Sequence, residues 1–127
     1  MAVEAVIRTF RRDNIQLPVL TASDGREALK LLRGDDATRK LNSPPLIILY
    51  LNMAGMNGLE FLEALRADPA LQHHLVFVWT TSDSCRDREA CYAHRVAGYV
   101  LKSSSDARHA YMSQLVTLYR DHVKLPC

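Results

Sequence analysis

The chain has 127 residues and 48% hydrophobic content, the size of one ordinary domain (residues 1–127, with 121–127 as a C-terminal arm) able to bury a single core without metals or disulfides. Basic and acidic residues nearly balance, 16 against 14, with no long run of like charge, which excludes the electrostatic footprint of a nucleic-acid binder. The longest apolar stretch, Leu46 to Leu51, is far shorter than the roughly 20 residues of a bilayer span. Three cysteines (Cys85, Cys91, Cys127) without C-x-x-C spacing, and an N-terminus without a signal-peptide pattern, point to a reduced, cytoplasmic compartment.

Val3, Val6, Ile7 and Phe10 recur at steps of three and four, so the chain is expected to open on a helix. After Pro18, Val19–Ala22 is expected to form a short strand. Asp24 with Glu27 three residues on has capping-box spacing and predicts a helix over Gly25–Arg33, ended at Gly34 by a left-handed cap. The polar stretch 35–43 reads as a loop. Leu46–Leu49, after two prolines, is a continuous apolar run of the kind that forms a strand covered on both faces.

Asn57 with Glu60 caps the next helix, which carries Leu59, Leu62 and Leu65 on one face and stops at Pro69. A buried strand is expected over Leu75–Trp79. Asp83 or Ser84 then opens a helix ending near His94, Gly98–Leu101 forms a last short strand, and Met112, Leu115, Val116 and Tyr119 mark a final amphipathic helix. Strands alternating with helices imply βαβ units and a doubly wound parallel sheet with four strands and about five helices. In such sheets the functional crevice lies beyond the carboxyl ends of the strands, which directs attention to Tyr50, Thr80 and Lys102.

The segment LIILYLNMAGMN (46–57), followed by GLEFLEALRADP, resembles the centre of response-regulator receiver domains, the CheY-like family. There an apolar strand ends in the phosphoacceptor aspartate and runs on through N-M-P-G-M-D-G. The resemblance continues through VFVWTTSD and VAGYVLKSS and covers essentially the whole chain, with a particular likeness to small single-domain regulators, including those paired with bacterial phytochromes. It implies a flavodoxin-like fold and a role in bacterial two-component signalling.

Phosphoryl transfer in that family needs an aspartate nucleophile, two further acids holding a divalent ion, a hydroxyl and a lysine, each for a physical reason: nucleophilicity, charge neutralisation and grip on the phosphoryl oxygens. By resemblance Thr80 is the hydroxyl, Lys102 the lysine, and Asn52 the residue whose carbonyl helps hold the ion, but the nucleophile position is Tyr50. A phenol with a pKa near 10 is neutral at physiological pH and bulky, so it imitates no aspartate. The family's acidic pair precedes its first helix, and this sequence begins inside that helix; either the acids and first strand are absent, or the natural start lies upstream of Met1. Ala54 and Ser103 stand where the family usually has proline, so no cis peptide is expected after Lys102.

The expectation is therefore a degenerate, phosphorylation-independent pseudo-receiver, not an enzyme, without a cofactor and without Mg²⁺ binding. Its partner would be a protein, such as a sensor histidine kinase or another response regulator, and not a nucleic acid or a membrane. The alternatives are a phosphoacceptor or phosphate sink using an unorthodox acid and, behind it, a nucleic-acid-binding regulator; Asp83 and Asp87 follow the strand ending at Trp79 and have the chemistry to replace the lost ion-binding acids, though capping of the next helix accounts for them more simply. Lacking the first strand, the sheet closes up with four strands or is completed by another chain, for instance in a homodimer.

The resemblance puts the partner face at Asp83–His94, Gly98–Leu101 and Asp106–Tyr119, with Tyr92, Tyr99, Tyr111 and Tyr119 as aromatic contacts and Tyr99 matching the family's switch aromatic. Beside these readings stand plainer ones: Tyr50 as space filler, Tyr99 as a half-buried strand residue, Thr80 and Lys102 as remnants or a residual anion site, His73-His74 as a solvated pair. Cys85 and Cys91, near Asp87, Glu89 and His94, have the chemistry of metal ligands without the spacing.

Overall fold

The computed structural model describes residues 19–41, 44–51, 57–101 and 110–126. Within them lie α1 (Gly25–Leu32), β1 (Leu46–Leu49), α2 (Gly58–Ala67), β2 (Leu75–Thr80), α3 (Cys85–Ala93), β3 (Gly98–Leu101) and α4 (Ala110–His122). The expected opening helix falls outside the described residues. One compact unit runs over Ala22–Lys102 with Leu125–Cys127 and holds the sheet with α1 to α3; α4 belongs to a second.

The sheet order is β1-β2-β3, all parallel, with Leu46 opposite Leu75, Leu49 opposite Val78, Phe77 opposite Gly98 and Thr80 opposite Leu101. Two consecutive βαβ units, β1-α2-β2 and β2-α3-β3, build it. Val19–Ala22, expected as a strand, forms none, so three strands are seen among the described residues in place of four. Val19 and Leu20 are both 39% exposed and gain little by burial. Preceding Pro18 offers no N–H, and the Ser23 N–H is already given to the Glu27 carboxylate at 2.9 Å.

Local chemistry sets the helix ends. Asp24 accepts from the Glu27 N–H at 3.0 Å, while the Glu27 carboxylate reaches back one residue further than expected, to Ser23. At the other end of α1 Gly34 takes φ +77°, and the Gly34 and Asp35 N–H groups return to Leu31 and Lys30, a Schellman closure that a Cβ-bearing residue makes at a cost. Asn57 and Glu60 form a reciprocal capping box on α2, which stops at Asp68, before Pro69. Ser84 and not Asp83 caps α3.

The core joins the even positions of β2 (Val76, Val78) and Leu49 to Leu29 of α1, Phe61, Leu62 and Leu65 of α2, and Cys91 of α3. Pleating points Phe77 and Trp79 to the opposite face, where Trp79 is also buried. The Arg66 guanidinium at the end of α2 donates to four backbone carbonyls, of Gln72, His74, His94 and Arg95, binding the turn after α2 to the turn after α3. In α4 Met112 and Val116 are buried and Leu115 and Tyr119 half-buried, the stripe expected from spacing. Among the described residues no helix is long and apolar enough to cross a membrane.

Candidate functional site

Parallel register brings the carboxyl ends of the three strands to one edge. Tyr50 follows directly on Leu49, whose partner Val78 lies two residues before Thr80, and Thr80 is opposite Leu101 at the end of β3. This edge is where an open α/β sheet offers its crevice. Lys102, Asn52, Ala54 and Ser103 lie outside the described residues, as does the Tyr111 side chain.

Tyr50 is half-buried, and burial raises its phenol above the ordinary tyrosine value. The side chain after β1 is thus a neutral phenol throughout the physiological range. The Gly58 N–H donates to the Leu51 carbonyl at 3.0 Å. A Cβ at Gly58 would stand 2.7 Å from Leu51 Cα and 3.1 Å from the Tyr50 carbonyl oxygen, so the backbone approaches here as only glycine allows.

At the end of β2, Thr80 is 5% exposed and its Oγ1 accepts from the Ser82 N–H at 3.1 Å. The Ser82 hydroxyl donates to Asp87 of α3 at 2.7 Å and accepts from the Ser84 N–H at 3.3 Å. The hydroxyl of half-buried Tyr99, on β3, donates to the Ser82 carbonyl at 2.8 Å. Sequence reasoning singled out Thr80 and Tyr99 but missed Ser82. The available signal was local, since serines just before a helix N-terminus compete for backbone groups.

The two acids after β2 are both engaged. Asp87 holds Ser82, and exposed Asp83 pairs with Arg88 at 3.4 Å. A divalent ion of the Mg²⁺ type takes oxygen ligands with carboxylates among them. Among the described residues, a neutral phenol after β1 and two aspartates turned to Ser82 and Arg88 do not fit that requirement. Among the described residues no three His, Cys, Asp or Glu side chains are placed to share a metal ion. The Cys85–Cys91 pair is separated by its helix: Cys85 is exposed, whereas Cys91 is in the core with its thiol pushed up to about 11 by burial and by Asp87. The His73 and His74 rings lie side by side in the turn after α2, their centroids 4.3 Å apart and their planes tilted by 39°. Tyr92 is 49% exposed on α3, near-matched by Leu101 at 44% on β3.

Comparison with known proteins places this edge in a known setting, because the model of the response regulator receiver domain matches residues 1–112. The chain belongs to the response regulator receiver family. The chemotaxis protein CheY of Pseudomonas aeruginosa is 33% identical over 99 residues, covering 76% of this chain and 73% of CheY. The response regulator Rcp1 of Synechocystis is 31% identical over 101 residues, 80% of this chain and 67% of Rcp1. The chain spans only about a third of the nitrate/nitrite response regulator NarP of Escherichia coli, 36% of its length, at 36% identity over 68% of this chain.

Among solved structures, the phosphorylated cyanobacterial phytochrome response regulator RcpA superposes with a TM-score of 0.84 at 25% identity, covering 99% of this chain and 91% of RcpA. The bacteriophytochrome response regulator RtBRR gives 0.70 at 25% identity, covering 98% and 72%. The receiver fold is therefore flavodoxin-like α/β, and the domain is one of two-component signalling.

Proposed function

We propose that this receiver is phosphorylation-independent, a pseudo-receiver that serves two-component signalling by binding another protein. One observation carries the reading: the residue following β1, where the resemblance expects the phosphoacceptor aspartate, is Tyr50, half-buried and held neutral. A neutral phenol has neither the charge to bind a divalent ion nor the carboxylate to form an acyl phosphate.

The likeness to regulators described as belonging to phytochromes supports a sensor kinase of that class as partner. The contact surface is the one built by α3 and β3, where Tyr92 and Leu101 expose apolar area beside the charged residues of the helix. Calorimetric titration with Mg²⁺ tests the reading: no saturable binding is expected up to millimolar concentrations, and a saturable site would contradict it.

A further inference from the structure

The amino ends of β2 and β3 are reached through two turns, 68–74 after α2 and 94–97 after α3, so both turns lie at the sheet edge opposite Tyr50 and Thr80. The first carries His73 and His74, the second His94 and Arg95; His73 and Arg95 are exposed, His74 and His94 half-buried. Arg66 clamps the two turns together, its Nε donating to the His94 carbonyl at 2.7 Å, Nη1 to those of Gln72 and His74 at 2.7 and 2.8 Å, and Nη2 to that of Arg95 at 3.0 Å. The Ala97 N–H donates to the Val76 carbonyl at 2.8 Å and fixes the second turn against β2. Two guanidinium groups and three imidazoles are thus gathered at one edge. Among the described residues none of them pairs with a carboxylate. The acid of the first turn, Asp68, is taken up by Arg33 at 3.2 Å and by the Ala70 N–H at 2.9 Å. Beyond burial, the charges that act on His74 are His73 and Arg66, and the charge that acts on Arg66 is Arg95, all of them cationic.

We propose that these two turns form a docking surface for an acidic segment of a partner protein, whose carboxylates lie along His73, His74, His94 and Arg95. The inference rests on the proposed function only in taking the partner to be a protein. Like charges held together by a hydrogen-bonded clamp, with no counter-ion of their own, repel one another in the free chain, and an anion that enters relieves the repulsion. A row of carboxylates fits the surface better than a single phosphate does. Four of the five N–H donors of Arg66 already go to backbone carbonyls, so the ligand is left to the side chains of the turns, and these are spread over two segments.

The test titrates a fluorescein-labelled hexaglutamate peptide into the full chain at low ionic strength, read by anisotropy, and follows the imidazole C–H resonances by NMR across a pH titration. Saturable binding is expected at about pH 6, weakening several-fold toward about pH 8 as the imidazoles lose their protons, and weakening with added salt. The peptide is expected to raise the His74 titration midpoint in the native chain, because bound carboxylates favour the charged imidazole. His73→Gln with His74→Gln, and separately Arg95→Asn, which keeps a residue tolerant of the left-handed turn at φ 59°, should each weaken binding about two- to fivefold. Arg86→Gln, at the opposite end of α3, should leave it unchanged. Absence of saturable binding at about pH 6, equal weakening by Arg86→Gln, an unmoved His74 midpoint, or tighter binding of inorganic phosphate or of a thymidine hexanucleotide than of the peptide overturns the proposal. None of these readouts involves a phosphodonor, so a phosphoryl adduct on the native chain would defeat the pseudo-receiver reading and leave the docking surface standing.

Discussion

The guanidinium of Arg66 donates to the backbone carbonyl of His74 at 2.8 Å, so a cation at the end of α2 sits against a turn that carries two adjacent imidazoles. Arg66 also holds Gln72, His94 and Arg95, the last a non-glycine residue at φ 59°, whose left-handed turn thereby gains an anchor. Arg66→Leu is expected to lower unfolding free energy by about 2–3 kcal/mol in urea titrations. Arg66→Lys should recover less than half of it, because one ammonium cannot span carbonyls on two turns.

The same cluster gives stability a pH dependence. Burial, then His73 and Arg66, lower the His74 pKa below its ordinary value, so the native state binds fewer protons there than the unfolded chain. Its contribution is fully present above about pH 6.5, the unfolded value, and is lost as pH falls from there through the folded pKa. His74→Leu should flatten the acid side of the stability profile measured by urea unfolding between neutral pH and about pH 5.

Gly58→Ala places a methyl group against Leu51 Cα and the Tyr50 carbonyl, backbone atoms that cannot swing aside. A loss of about 2 kcal/mol or more is expected in the same titration, with exchange of the Gly58 amide accelerated. Asn57→Ala removes one half of the capping box and should cost about 1 kcal/mol.

The two α3 thiols should differ in reactivity. In a Cys127→Ser background, exposed Cys85 is expected to alkylate in the native state, and Cys91, fully buried and pushed up to about 11, only as fast as the unit opens. Equal rates for the two in native buffer would contradict the placement of Cys91.

Much of the architecture is legible in local chemistry. The ends of β1 and β3 fall where the apolar runs end, and Asn57 and Gly34 terminate helices by mechanisms confined to a few neighbouring residues. Val19–Ala22 misled because β propensity in a short apolar run says nothing of whether a partner strand is available. Ser82 and Arg66 were missed for a related reason: their partners lie up to 17 and 29 residues away, and hydrogen bonds of that span leave no periodic trace. The identity of Tyr50 after the central apolar run, by contrast, was readable at once because the resemblance fixed its position in the site.

Whether the chain accepts a phosphoryl group is decided by intact-mass analysis after incubation with acetyl phosphate and Mg²⁺, with Tyr50→Asp beside the native chain as a partial repair. The native chain is expected to show no phosphoryl adduct. A hydroxylamine-sensitive adduct on the native chain would contradict the account, since an acyl phosphate would then have formed on a carboxylate elsewhere in the domain.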